Sequence, residues 1–372
     1  MMNQDRLQYL RDVRHIVIKL GTALLGDPQG RLDTSFLASM ARQVRDLRMA
    51  GRQATLVSSG AVGAGLKELG LSRRPRDLAM LQAVAAVGQR KLMDAWADAF
   101  APFELPVAQI LLTREDIDSR LRFLNLRNTI HAVHDLGAIP IINENDTIST
   151  DELAQITFGD NDVLAALVCQ ALRAEVLILL SVVDGLSDGS GVPLRFVEKV
   201  EQAEPHVRGE KTPEGKGGMS SKLVAGRIVT GAGEVMIVAN GRTENVLSRL
   251  LSGEPLGTFF APRGGRRSGR GRWIGAARPA GVLVVDAGAA TAVAQKNRSL
   301  LPAGVTRVEG DFARGDVVTI ATVEGLAIAR GLTNYSSAEI ERIRGRKSAE
   351  IRQILGHSAY EEVVHRDNLV VL

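Results

Sequence analysis

The sequence has little cysteine and no long apolar run, and each shortage excludes a class of protein. Cys169 is the single cysteine among 372 residues, so a disulfide framework is excluded and a reducing cytoplasm is the expected location. No stretch reaches the roughly 18 apolar residues of a membrane-spanning helix, and the N-terminus lacks the apolar segment of a signal peptide. We therefore expect a cytoplasmic protein with no membrane contact.

Histidine and aromatic residues are also scarce. The six histidines are scattered, and although His131 and His134 have helical spacing, no cysteine or acidic residue completes a zinc ligand set. Aromatic residues make up 4% of the chain, and no aromatic-rich stretch could stack nucleic-acid bases. We predict neither a zinc site nor RNA binding.

Hydrophobic residues at 45% and charged residues at 24% are ordinary for a globular protein, and the length suggests two domains. The net charge is only +4, but five arginines crowd the glycine-rich stretch 262–272. That stretch could contact RNA or an acidic surface, although its composition favours a solvated linker. We predict a linker over residues 261–277 between domains 1–260 and 278–372.

Apolar strands alternate with amphipathic helices through the first 260 residues. We predict helices at 118–136 and from Asp33 toward Ala50, and strands at 15–20, 54–57, 105–112, 138–142, 176–180 and 235–238. The strands are apolar throughout, as expected when helices cover both faces of a parallel sheet. The fold class is α/β, a three-layer sandwich around a mostly parallel sheet, in which ligands bind beyond the carboxyl ends of the strands.

The pattern changes after the linker. Short strands separated by glycine turns are predicted at 281–286, 307–309, 317–320 and 325–330, and the tail from residue 363 is apolar enough to pack. These features predict a small β-rich domain.

A glycine-rich run with a hydroxyl pair and a lysine, GKGGMSSK at 215–222, precedes a predicted helix. Glycines allow backbone N–H groups to approach an anion, and the helix N-terminus adds further N–H donors. A lysine there can neutralise a phosphate. The run indicates a nucleotide-phosphate site, although by itself it could be a flexible surface loop. It does not fit the Walker spacing, because Gly217 follows Lys216.

Other polar clusters follow predicted strands or begin helices. Four polar residues, 143–146, come directly after a buried strand, where they are costly to hold without a partner or solvent. The segment 159–162 places two carboxylates at a helix start, and capping accounts for only one of them.

The order of these clusters resembles the glutamate 5-kinase family of amino-acid kinases over nearly the whole chain. The matching segments are KLGT at 19–22, SSGA at 58–61, LLTR at 111–114, RFLN at 122–125, INEND at 142–146, GDND at 159–162 and GGMSSK at 217–222. The β-rich part resembles a PUA domain, and HRD at 365–367 also fits. A uridylate or acetylglutamate kinase is the alternative within the fold, and an RNA-binding protein is the alternative from another class.

The resemblance implies transfer of the γ-phosphoryl group of ATP, with Mg²⁺, to the side-chain carboxylate of L-glutamate. It implies Lys19, Asp162 and Lys222 as catalytic residues and Ser59, Asp146 and Asn161 as glutamate-binding residues. The implied ATP-binding residues are Lys19, Ser181, Val182, Lys216, Gly217, Gly218, Met219, Ser220, Ser221 and Lys222. No direct protein ligand to the metal is predicted.

Two positions depart from the family pattern. Val182 stands where a family aspartate is common, so either backbone contacts suffice there or Asp184 supplies the carboxylate. Lys216 replaces a common threonine and could contact phosphate or point to solvent. The resemblance also implies a homodimer or homotetramer, feedback inhibition by proline and a contact with glutamyl phosphate reductase.

Overall fold

Continuous apolar runs in the first part of the chain form strands that are buried on both faces. In the strand at His15–Leu20, for example, every residue after His15 is buried. The computed structural model describes residues 2–27, 29–148, 161–188, 192–207, 218–263, 269–296, 298–356 and 360–372. The chain divides into two units, Met1–Arg266 and Arg267–Leu372, each with its own sheet.

The N-terminal unit contains an eight-stranded sheet. Its strands are β1 (His15–Leu20), β2 (Gln53–Ser58), β3 (Val107–Leu112), β4 (Ile139–Glu144), β5 (Val176–Ser181), β6 (Phe196–Val197), β7 (Val235–Asn240) and β8 (Thr258–Phe260). They lie in the order β3-β4-β2-β1-β5-β7-β8-β6. All neighbouring pairs are parallel except β7 and β8. This arrangement confirms the predicted fold class.

The sequence predicted only some of the helices of this unit. They are α1 (Met2–Leu10), α2 (Thr22–Leu25), α3 (Thr34–Met49), α4 (Ala61–Glu68), α5 (Leu78–Phe100), α6 (Arg114–Asp118), α7 (Arg120–Asp135), α8 (Asn161–Leu172), α9 (Glu204–Val207), α10 (Met219–Gly231) and α11 (Val246–Leu251). Asp33 caps α3 as predicted, because its carboxylate accepts from the backbone N–H of Phe36. The helix predicted at 118–136 is α7, which begins two residues later, at Arg120, and ends at Asp135.

The C-terminal unit contains a five-stranded sheet in the order β10-β9-β11-β12-β13. Its elements are α12 (Gly269–Ala276), β9 (Gly281–Val285), α13 (Ala287–Ala294), β10 (Val305–Glu309), β11 (Val317–Thr322), β12 (Ala327–Thr333), α14 (Ser337–Ile343), α15 (Ile351–Leu355) and β13 (Val364–Val371). The apolar tail forms β13, which pairs with β12. A separate apolar core supports this sheet.

The structure differs from the sequence-based prediction inside the segment expected to be a linker. Helix α12 occupies residues 269–276, and it buries Arg272, Trp273 and Ile274. Glycine and arginine content favoured a solvated segment, whereas the apolar surface of Trp273 and Ile274 stabilises a packed helix. Residues 264–268 of the predicted linker lie outside the described part of the chain. No helix among the described residues is both long and apolar enough to cross a membrane.

Candidate active site

Polar side chains from separate elements meet at the carboxyl edge of the N-terminal sheet. Strand β1 lies in the middle of the sheet, with β2 on one side and β5 on the other. The chain therefore adds further strands on both sides of β1. Helices α8 and α10 precede the parallel strands β5 and β7, and their N-termini therefore lie at the carboxyl edge. The point where strand order reverses is the usual ligand site of such sheets.

Three charged side chains form the centre of this site. Asp162, in the first turn of α8, is fully buried and contacts two lysines through different oxygens. Its Oδ1 lies 2.7 Å from Nζ of Lys19, which comes from β1. Its Oδ2 lies 3.0 Å from Nζ of Lys222, which comes from α10. The structure thus brings together the three residues implied to be catalytic.

The electrostatics of this group indicate function more than stability. Burial by itself would raise the pKa of Asp162, but the ammonium groups of Lys19 and Lys222 hold that pKa below its ordinary value. Lys19 is 4% exposed and Lys222 is 7% exposed. Removing such charges from water costs several kcal/mol per ion, and apolar side chains would often fill the space at less cost. Two ammonium groups against one carboxylate leave a net positive charge, which suits an anionic ligand.

The start of α10 adds polar groups next to Asp162. Oγ of Ser221 lies 3.0 Å from Oδ2 of Asp162 and 2.9 Å from the carbonyl oxygen of Gly218, and its single proton is donated to one of these two acceptors at a time. Gly218 is the N-cap, and no side chain caps the helix there. Met219 is half-buried and Ser220 is exposed. Backbone N–H groups at such a helix start can bind phosphate oxygens.

Two of the predicted nucleotide-binding residues, Lys216 and Gly217, lie outside the described residues. The part of the glycine-rich run that is described, from Gly218 onward, begins α10 at the same edge as Lys19. Of the predicted phosphate site, the structure therefore describes Gly218 through Lys222.

The remaining predicted nucleotide contacts follow β5. Ser181 ends this strand and accepts a backbone hydrogen bond from Gly241. Val182 is 50% exposed, so an apolar surface is open beside the strand end. Asp184 accepts a hydrogen bond from Nδ2 of Asn240 at 2.9 Å. Its carboxylate is therefore oriented by β7, and its part in nucleotide binding stays a prediction.

Asn161 lies beside the charged group, one residue before Asp162. Its Nδ2 donates to Oγ of Ser59 and to Oδ1 of Asn143, both at 2.9 Å. Ser59 follows β2 and is half-buried, and Gly60 after it has a φ of 103°. A left-handed conformation of this kind favours glycine, so Gly60 allows the turn from β2 into α4. Two of the three predicted glutamate-binding residues are in contact.

The third predicted glutamate-binding residue, Asp146, is half-buried in the turn after β4. That turn starts at Asn145, whose backbone N–H donates to the carbonyl oxygen of Leu112 at 2.8 Å. The carboxyl ends of β3 and β4 therefore place Asp146 at the same edge of the sheet. Its contact with glutamate stays a prediction.

Sequence reasoning did not assign two residues that complete this polar network. Asn143 is buried at the end of β4 and donates from Nδ2 to Oε1 of Gln89 at 2.8 Å. Asn143 belongs to a polar cluster that the sequence singles out, whereas Gln89 is one polar residue in the long helix α5. Only the spatial contact distinguishes Gln89 from an ordinary surface glutamine.

Comparison with known proteins agrees with this geometry. The model of the amino acid kinase family matches residues 14–240, and the model of the PUA domain matches residues 281–355. The chain is 48% identical to the glutamate 5-kinase of Thermus thermophilus over 364 residues, which are 96% of this chain and 97% of that protein.

Two further relatives have somewhat lower identity. The glutamate 5-kinase of a Geobacter species is 45% identical over 375 residues, 99% of this chain and 100% of that protein. The glutamate 5-kinase of Methanosarcina acetivorans is 42% identical over 382 residues, 99% of this chain and 98% of that protein. With the kinase model matched over the unit that holds the lysine–aspartate group, this chain belongs to the glutamate 5-kinases of the amino acid kinase family and carries a PUA domain.

Proposed function

We propose that this chain transfers the γ-phosphoryl group of ATP to the side-chain carboxylate of L-glutamate. The products are L-glutamyl 5-phosphate and ADP, and the reaction is the first step of proline biosynthesis. The observation that carries the proposal is the contact of Lys19 and Lys222 with one buried carboxylate, that of Asp162. The similarity to glutamate 5-kinases over nearly the full chain identifies the acceptor.

The chemistry explains why the site holds lysines rather than a general base. A glutamate side chain has an ordinary pKa of about 4.3, so at neutral pH it is already an anionic nucleophile. One of its oxygens attacks the γ-phosphorus, and the bond from that phosphorus to the β,γ-bridging oxygen breaks. ADP leaves with the electron pair of that bond, and no proton has to move from the attacking group.

The difficulty lies in bringing two anions together and stabilising the charge on the transferring group. We assign this task to Lys19 and Lys222, because ammonium groups oriented before reaction stabilise charge at little reorganisation cost. Asp162 holds both ammonium groups at the carboxyl edge of the sheet. Ser221 fixes the carboxylate by a third contact. Asp162 therefore positions the two lysines and is not required as a base.

Mg²⁺ is proposed as part of the nucleotide substrate. Within the described residues, no three His, Cys, Asp or Glu side chains are gathered in a way that could hold a metal ion. The carboxylate of Asp162 is occupied by Lys19 and Lys222. Magnesium commonly keeps waters and binds substrate phosphates with few protein ligands. The ion would thus neutralise phosphate charge alongside the two lysines.

Glutamate is proposed to bind next to this group, at Ser59, Asn161 and Asp146. The amide of Asn161 already contacts Ser59, and a carboxylate such as that of Asp146 pairs well with the α-ammonium group of the substrate. Proline, the end product, would compete here if its site overlaps that of glutamate. We further propose a cytoplasmic homodimer or homotetramer that contacts glutamyl phosphate reductase.

The test of function is ATP turnover with purified full-length protein. We expect ADP release that depends on both glutamate and Mg²⁺, with trapping of the acyl phosphate by hydroxylamine as the hydroxamate. Aspartate serves as the matched control, because it is one methylene shorter. Glutamate-independent ADP release, or equal rates with aspartate, would refute the assignment. Adding proline to the same assay tests feedback inhibition, and light scattering gives the oligomeric state.

A further inference from the structure

Helix α5 contacts the proposed glutamate site through two buried side chains. Gln89 and Trp96 are seven residues apart and therefore lie on the same face of the helix. Nε1 of Trp96 donates to Oγ of Ser58 at 3.0 Å. Oε1 of Gln89 accepts from Nδ2 of Asn143 at 2.8 Å. One helix thus supports both the turn that carries Ser59 and the end of β4.

The position of α5 is held closely by the neighbouring helix α4. A Cβ atom on Gly88 would lie 1.8 Å from the carbonyl oxygen of Ala61, and one on Gly65 would lie 1.9 Å from the carbonyl oxygen of Val84. The backbones of α4 and α5 are therefore in direct contact. Because α4 begins immediately after Ser59 and Gly60, the place of Gln89 relative to the site is defined by backbone packing rather than by flexible side chains.

The hydrogen bond to Gln89 and the one from the backbone N–H of Glu144 together determine which way the Asn143 amide faces. With Nδ2 directed at Gln89, Oδ1 of Asn143 accepts from the backbone N–H of Glu144 and from Nδ2 of Asn161, both at 2.9 Å. Asn161 must then direct Nδ2 inward, toward Asn143 and Ser59. Its Oδ1 is left as the outward group, and it accepts no hydrogen bond from any residue that the structure describes.

We propose that Gln89 is a positioning residue for the substrate's α-ammonium group. By holding the amide of Asn143, Gln89 orients Asn161 so that its Oδ1, an acceptor, is presented to the ammonium donor of glutamate. Loss of the acceptor on Gln89 leaves the Asn143 amide oriented by the backbone N–H of Glu144 without a partner for its Nδ2. The preference for this orientation is then weaker, and when both amides rotate Asn161 presents Nδ2, a donor, to a cation. This inference rests on the proposed function of the site.

The first test is the substitution Gln89→Met, which keeps the side-chain length and removes the acceptor. We expect KM for glutamate to rise about tenfold, the factor that corresponds to about 1.4 kcal/mol. We expect kcat and KM for ATP to stay within about twofold, because the interaction acts equally in ground and transition states. Gln89→Glu retains an acceptor oxygen and restores KM for glutamate toward the wild-type value.

A second readout separates orientation from general damage. Glutarate has both carboxylates of glutamate and lacks the α-amino group, so its binding does not use the acceptor on Asn161. We expect the inhibition constant of glutarate to be the same in wild type and Gln89→Met, while KM for glutamate rises. An equal loss for both ligands would overturn the proposal, because it would indicate distortion of the whole pocket.

Gln43 provides the matched control. It is also a buried glutamine of the N-terminal unit, and its Oε1 accepts from the backbone N–H of Leu247 at 3.0 Å. Gln43→Met should lower the melting temperature and leave KM for glutamate unchanged. A rise in KM equal to that of Gln89→Met would overturn the proposal.

A further variant keeps the proposal testable if Gln89→Met does not fold. Gln89→Asn keeps a buried amide and withdraws it by one methylene, and it should give the same rise in KM for glutamate. If the wild-type protein has no glutamate-dependent turnover, the proposed function fails. If the wild type is active and both Gln89→Met and Gln89→Asn keep the wild-type KM, only the role of Gln89 fails.

Discussion

Removing one of the two buried ammonium groups is the most direct test of the active site. In the Lys222→Met variant the side chain keeps nearly its length and loses its charge. Lys19 and Asp162 then form a neutral pair, because the excess positive charge of the group is gone. The substitution changes the charge available to phosphate without opening a large cavity, so its effect on turnover reports electrostatics.

The expected size follows from the burial of the group. Lys222 is 7% exposed and Asp162 is fully buried, so solvent screens their charges little. A unit charge about 4 Å from a phosphate oxygen is worth about 4 kcal/mol at an effective dielectric constant near 20. Removing one preorganised charge-stabilising donor typically costs about 3 kcal/mol of transition-state stabilisation. We therefore expect kcat to fall at least about a hundredfold, and Lys19→Met should behave alike.

The assay measures initial rates of ADP release over a matrix of glutamate and ATP concentrations, with melting curves for each variant. Lys91→Met is the control, because Lys91 forms an ion pair with Glu68 at 3.1 Å where both side chains are exposed. That variant should keep wild-type kcat. If Lys222→Met or Lys19→Met is folded and keeps kcat within about threefold of wild type, that lysine does not meet transition-state charge and the mechanism is wrong.

Three further predictions concern substrate binding, acid stability and domain independence. Asp146→Ala should raise KM for glutamate at least about tenfold through loss of the carboxylate–ammonium pair, and it should weaken proline inhibition. If the same kinetics show a defect in KM for ATP alone, the assignment of Asp146 to glutamate is wrong. Burial and the neighbouring His15 lower the pKa of His134 from 6.5 to about 4. As the pH falls from 6.5 toward 4, this histidine becomes protonated in the unfolded state but not in the folded state, so the unfolding free energy decreases. Urea titrations at pH 7 and pH 5 should show a smaller fall in His134→Gln than in wild type, and equal falls would exclude His134 as the cause. Residues 1–266 alone should fold and phosphorylate glutamate, because the N-terminal sheet and its core lie within that unit; soluble, folded protein without activity would contradict this.

Local sequence was sufficient to predict most of the strands. Apolar runs bounded by glycine or polar residues identified the long parallel strands of the N-terminal sheet, because strands buried on both faces need apolar residues at every position. Asp33 identified the start of α3, since a capping carboxylate acts within one turn of its helix. The short strands β6 and β8, at the edge beyond β7, have two and three residues and leave too little pattern to be recognised.

Helix α12 shows where composition misleads. Glycine and arginine around it indicated a solvated linker, yet Trp273 and Ile274 are buried. Whether a short amphipathic segment folds as a helix depends on the surface available to its apolar side, and tertiary packing supplies most of that stability. Such a surface cannot be read from the segment itself.

The chemistry of the site was determined by the sequence, and its geometry by the fold. The resemblance of the ordered polar clusters to the glutamate 5-kinases implied Lys19, Asp162 and Lys222 as a set. Their meeting at one carboxylate, with both lysines within 3.0 Å of it, depends on strand order and on two helix starts that bring residues 19, 162 and 222 together. Gln89 could not be identified from the sequence for the same reason. A single glutamine in a helix has no distinguishing local pattern, and its partner Asn143 is 54 residues away. Local patterns specify the secondary structure and the residue chemistry of a segment. Contacts between distant segments arise only when the sheet and its covering helices pack.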